Sequence, residues 1–180
     1  MIENQIVTKH LIVEIARQNG YAVTDTERDI LKMVVIERHL GTGNVGRGFI
    51  QGFGLKAGAL AGSVAHDHHN IVVVGVDDQS MYTAARAICE MGGGFVTANK
   101  DQVMATLPFP VAGLMSDRPA EAVCDAMRTL QRSAAALGSE LHDPFMTLSF
   151  MALEVIPALK LTDHGLIDVE HFKPVELFVE

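Results

Sequence analysis

Eight glycines fall between positions 41 and 62, at 41, 43, 46, 48, 52, 54, 58 and 62. A regular helix does not absorb that density, because each interior glycine costs about 1 kcal/mol relative to alanine. Glycines so spaced mark tight turns, or places where two backbones approach closely. Two apolar runs flank the segment, Leu31 to Ile36 and Ile71 to Val76, both short and rich in β-branched residues. They read as buried strands. The chain must therefore fold around strands that lead into and out of a glycine-rich loop region.

The remaining punctuation supplies the other elements. Residues 5–23 read as a hairpin turning at Asn19-Gly20, a pair that tolerates the positive φ of a type I′ turn. Asp77 or Asp78 can cap a helix to about Met91, with Met81, Ala84, Ala85, Ile88 and Met91 on one face and Gly92-Gly93-Gly94 ending it. A second hairpin spans residues 95–111. Ser116 is placed to cap a second helix, with Pro119 in its first turn and an apolar stripe of Val123, Met127, Leu130, Ala134 and Leu137. Residues 144–156 read as a short buried helix and residues 159–179 as short strands. No repeat or linker interrupts the sequence. Residues 1–180 thus read as one α+β domain of mostly antiparallel strands, two main helices and a glycine-rich loop region. The nine methionines, among them Met81, Met91, Met127, Met146 and Met151, read as core filler.

Length and charge exclude several functions. A (β/α)8 barrel takes about 250 residues, and the chain has 180. Fourteen Lys and Arg against 22 Asp and Glu leave a net charge of −8, which disfavours phosphate backbones and anionic membrane surfaces. Neither nucleic acid nor membrane is an expected partner. No apolar run approaches the ~20 residues of a spanning helix, and the start lacks the basic and then apolar pattern of a secretory leader. Cys89 and Cys124, isolated in helix-patterned segments, read as buried reduced thiols, which points to the cytoplasm.

Three segments carry chemistry. Gly41-Thr42-Gly43-Asn44-Val45-Gly46 matches the dinucleotide pattern GxGxxG after a strand. A dinucleotide site would open a helix near Val45, and the further glycines argue against one. Ser63-Val64-Ala65-His66-Asp67-His68-His69-Asn70 is the densest cluster. In an extended segment His66 and His68 share one side, Asp67 and His69 the other. His66 and His68 could offer two ligands to one divalent ion, too few for a closed site, with more needed from Glu37, His39 or another chain. The imidazoles could instead move protons, or the segment could be a polar turn whose side chains satisfy one another. Glu37-Arg38-His39, at the end of the first strand, either lines a pocket or closes an ion pair through Arg38. Asp163-His164-Gly165 reads only as a turn.

These segments together resemble a known family. Glu37-Arg38-His39, Gly41 to Gly46, Gly52-Phe53-Gly54-Leu55-Lys56-Ala57-Gly58-Ala59 and Ser63 to Ile71 are similar to the C-terminal domain of the bacterial adenine deaminases, in the amidohydrolase superfamily. Gly92-Gly93-Gly94, Leu107 to Ser116, Pro144 to Phe150 and Leu159 to Leu166 agree in the same order, so the resemblance covers nearly the whole chain. It implies metal-dependent hydrolytic deamination of adenine to hypoxanthine and ammonia. The divalent ion, manganese or iron, would be held mainly by a barrel domain or subunit that this chain lacks. The resemblance implies catalytic roles for His66, Asp67, His69 and Asn70, and substrate-binding roles for Glu37, His39, Gly43 and Asn44. His68 departs from the family pattern, which has a small hydroxyl residue there. Adenine or a related purine and the barrel are the implied partners, and a homo-oligomer is compatible with the sequence. The alternative is a stand-alone module of the same fold that binds a purine or a metal without chemistry.

Overall fold

A computed structural model of the chain describes residue 1 and residues 5–179. Its centre is a six-stranded sheet built from β3 (Leu31–Ile36), β4 (Val45–Ile50), β5 (Ala59–Gly62), β6 (Ile71–Gly75), β7 (Gly94–Asn99) and β8 (Gln102–Pro108). The strand order is β4-β3-β6-β5-β7-β8, and every pairing is antiparallel. Helix α1 (Asp78–Met91) packs Met81, Ala84 and Ile88 against Ala59, Ala61, Val73 and Val96 on one face. Helices α2 (Ala120–Ala136) and α3 (Pro144–Phe150) cover the other, where Leu130, Phe145 and Leu148 join Met33, Val35, Leu60 and Val74. With both faces covered, β5 and β6 are buried at every residue, which is why Ile71 to Gly75 is apolar without alternation. The α+β architecture agrees with the sequence expectation.

A second sheet, β11-β10-β9, is formed by β9 (Leu159–Thr162), β10 (Gly165–Asp168) and β11 (Lys173–Val175), and it packs on β4. The contact is backbone on backbone. A Cβ built on Gly46 would lie 1.7 Å from the Thr162 carbonyl oxygen. The glycine-rich segment is thus not one loop, since β4 and β5 both run through it. Val45 opens a strand rather than a helix, which ends the dinucleotide reading. The three motif glycines have other reasons: Gly41 and Gly43 turn with φ of 65° and 78°, and Gly46 lets β9 approach.

Other local expectations divide. The Asp77 side chain caps α1, accepting from the Ser80 N–H at 3.0 Å, and Gly92 closes it with φ 75°. Ser116 does not cap α2. Pro119 stands at the N-cap, and the Ser116 hydroxyl accepts from the Arg118 N–H instead. The pre-set φ of proline starts that helix without a side-chain cap. The first hairpin survives only at its tip. β1 (Arg17–Gln18) pairs with β2 (Tyr21–Ala22) around Asn19 and Gly20, whose φ values are 51° and 81°. Ile6 to Ile15 forms no strand. Its Thr8 hydroxyl donates to the Leu159 carbonyl at 2.6 Å, because β-branched residues make no ladder without a partner strand of matching length.

Cys89 and Cys124 are exposed, not buried. Each sits beside the apolar stripe of its helix, and a helix rotates about 100° per residue, so a neighbour of the stripe faces water. Met81 and Met151 are core residues and Met91 and Met127 pack on the core, but Met146 is exposed in the first turn of α3. Lys160 is fully buried, donating to the Ile6 carbonyl at 2.7 Å and the Phe150 carbonyl at 2.9 Å. Burial pushes its ammonium down to about 8. Among the described residues, no helix is long and apolar enough to cross a membrane.

Candidate functional site

Four segments meet at the end of the sheet where β3 stops and β6 begins. They are the 37–44 loop, the 63–70 loop, the β9–β10 turn and the C-terminal end of α3. The buried strands fix the ends of both loops, and the loops are then held by polar side chains.

Glu37 is consumed by its own loop. One carboxylate oxygen accepts from the His39 N–H and, at 2.7 Å, from the Leu40 N–H. The other accepts from the Thr42 N–H at 3.0 Å and the Thr42 hydroxyl at 3.2 Å. These donors, the Leu40 and Thr42 amides foremost, hold its carboxyl well below the usual carboxylate range, at about 2. No ion pair forms at Arg38 among the described residues. Its Nε donates to the His69 carbonyl at 2.6 Å and its Nη2 to the Ala112 carbonyl at 2.8 Å.

A pH dependence follows. The Glu37 carboxyl is more acidic folded than unfolded, so its stabilisation is complete above the ordinary value of 4.5 and is lost as pH falls towards about 2. The urea midpoint of the chain should exceed that of Glu37→Gln by a constant amount above pH 5. The gap should shrink between pH 4.5 and 2, and a gap independent of pH would contradict this role.

The 63–70 loop is anchored at both ends. The Ser63 hydroxyl donates to the Gly113 carbonyl at 2.6 Å and accepts from the Gly94 N–H at 2.8 Å. The His66 N–H donates to the Ser149 carbonyl at the end of α3. Within the loop the side chains divide into two groups. His68 is a holding residue: its Nδ1 accepts from the Asn70 N–H at 3.0 Å, and its Nε2 donates to the Ala152 carbonyl at 3.1 Å. Both ring nitrogens are engaged, so His68 as placed offers no lone pair to an ion. His39 donates to the His68 carbonyl at 2.7 Å. Asn70 is buried, with its amide on Asp163 at 3.3 Å and its carbonyl oxygen accepting from the Arg38 N–H at 3.4 Å.

The second group keeps its functional atoms free. The side chains of His66 and Asp67 make no hydrogen bond among the described residues. The His66 ring lies 4.8 Å from the Phe150 ring and 5.7 Å, edge-on, from His69. The Nδ1 of His69 is buried without a partner. Burial first, and then the neighbouring His66, His68 and Arg38, hold the His69 imidazole below its ordinary value. A neutral imidazole with an uncommitted nitrogen can accept a proton or a hydrogen bond.

Of the expected substrate-binding residues, Asn44 joins the cluster through Asp163, at 3.2 Å. Gly43 stands at the surface with open space beside it. Asp163 is the residue that sequence reasoning missed as part of the site. Its partners Asn44 and Asn70 lie 119 and 93 positions away in the chain, beyond any local pattern. No group of three or more His, Cys, Asp or Glu converges to hold an ion among the described residues. With both ring nitrogens of His68 engaged, the described residues do not bring His66 and His68 together as a pair of ligands for one ion. A cavity of about 840 Å3 lies at the opposite end of β3, lined by Ile15, Ile30, Met33, Phe49 and Leu161 among others; no residue of 37–44 or 63–70 borders it.

Against known proteins, the model of the adenine deaminase C-terminal domain matches residues 5–173. The chain is 52% identical over 178 residues to an adenine deaminase of Desulfatibacillum aliphaticivorans, covering 99% of this chain and 31% of that protein. An adenine deaminase of Dehalococcoides mccartyi is 51% identical over 96% of this chain and 30% of its own length. One of Methanothrix thermoacetophila is 50% identical over 98% of this chain and 31% of its own. The chain spans about a third of the length of these curated relatives.

Proposed function

Because the chain belongs to the adenine deaminase C-terminal domain family, we propose that it is the C-terminal part of an adenine deaminase and builds one wall of the site where adenine is hydrolysed to hypoxanthine and ammonia. The observation that carries this reading is identity near one half across almost the whole chain to three proteins named adenine deaminase. The divalent ion, manganese or iron, and its ligands belong on this reading to the part of the relatives that the chain does not span. When bound, such an ion supplies an activated water for attack on the purine.

This chain contributes the loop. Hydrolysis at C6 of a purine requires a proton to reach the departing amino nitrogen. His66 and His69, with ring nitrogens not tied to backbone, and the exposed Asp67 are the groups that can hold or pass it. His68, Asn70 and His39 keep the loop in place, and Glu37 holds the neighbouring 37–44 loop. The loop also excludes water on the side it covers. The proposal places the enzyme in purine breakdown in the cytoplasm.

The test is a chimera in which this chain replaces the matching C-terminal third of the Desulfatibacillum aliphaticivorans relative. The chimera should deaminate adenine when supplied with manganese, and the 180-residue chain alone should show no turnover. Comparable turnover by the isolated chain, or a folded chimera with none, would overturn the reading.

A further inference from the structure

Asp163 occupies the turn between β9 and β10, with its side chain only 12% exposed. One carboxylate oxygen accepts from the Asn70 amide at 3.3 Å, the other from the Asn44 amide at 3.2 Å. The same Asn70 accepts from the Arg38 N–H and donates its own N–H to His68. Arg38 in turn holds the His69 carbonyl. Three segments far apart in the chain are therefore joined at one carboxylate, and the connections run from it to the backbone of His69. The turn itself is set on β4 by the close approach of Thr162 to Gly46.

We infer that Asp163 is a positioning residue for the 63–70 loop: its carboxylate, bridging Asn44 and Asn70, fixes the backbone from which His66, Asp67 and His69 project. The geometry singles out a carboxylate. An amide at this position has one acceptor oxygen where two asparagine donors arrive, and it turns its own N–H groups towards one of them. The loop would then be held on one side only. The catalytic consequence rests on the deaminase reading; the positioning does not.

The experiment is amide hydrogen exchange on the 180-residue chain, which involves no adenine. Asp163→Asn should quicken exchange at His69 and Asn70 by about tenfold or more, the effect of losing a hydrogen bond to a charged group on a local opening equilibrium. Ala61 and Val96 in the sheet should exchange unchanged. Asp163→Glu, which keeps the carboxylate, should restore at least half of the protection. Should Asp163→Asn not fold, Asn44→Ala removes one of the two donors and should raise exchange at the same amides by a smaller factor. Unchanged exchange at His69 and Asn70, equal acceleration at Ala61 and Val96, or no rescue by Asp163→Glu would each overturn the inference. A chimera inactive on adenine would strike the deaminase reading alone; flat exchange with an active chimera would strike this inference alone.

Discussion

Gly46→Ala is expected to destabilise the chain by about 3 kcal/mol, the upper end of the usual cost of overpacking a filled interior. The methyl group would stand 1.7 Å from the Thr162 carbonyl oxygen and 3.2 Å from the Gly165 nitrogen. Both are backbone atoms in paired strands, so no rotamer change relieves the clash, and β9 and β10 must lift away from β4. Gly43→Ala is the control. Nothing lies within 4 Å of its added carbon, and only its φ of 78° opposes the change. Its cost should be about 1 kcal/mol. Urea unfolding of the two variants separates a glycine kept for close approach from one kept for a turn. Equal costs would mean that the β4–β9 contact is not tight.

The second large effect concerns activity. In the chimera, His69→Ala should lower adenine turnover by about a hundredfold, the low end of what a positioned acid or base supplies, while leaving the urea midpoint nearly unchanged. His68→Ala should act in the opposite sense. It strips a partner from the buried Asn70 N–H and from the Ala152 carbonyl, and each orphaned group costs about 1–3 kcal/mol. The two histidines are adjacent in sequence and the same residue type. If both variants lose activity in proportion to stability, the division between free and holding side chains is wrong.

That division was not legible in the sequence, although the cluster was. Ile71 to Gly75 declared itself because a strand buried at every residue needs apolar side chains throughout, and Leu31 to Ile36 because its alternate residues Leu31, Met33 and Val35 are buried. Asp77 and Gly92 declared the ends of α1 because capping is local. The position of the His66–Asn70 loop followed from those strands. Which ring is free, however, depends on the segment that follows α3: the Ala152 carbonyl that engages His68 is 84 residues distant. Asp163 was hidden for the same reason. β4 and β5 were masked by their own glycines, since Gly46, Gly48 and Gly62 supply no side chain to alternate. The two cysteines were misplaced by about one residue of helical phase, a difference that periodicity alone does not fix near the edge of a stripe.

On the proposed function, the free side of the 63–70 loop faces the part of an adenine deaminase that these 180 residues do not span. Chemical modification of the His66 ring tests it, because that ring is only partly buried in the chain alone. In the intact chimera the rate of modification at His66 should fall at least tenfold relative to the isolated chain, and a rate the same in both would contradict the claim.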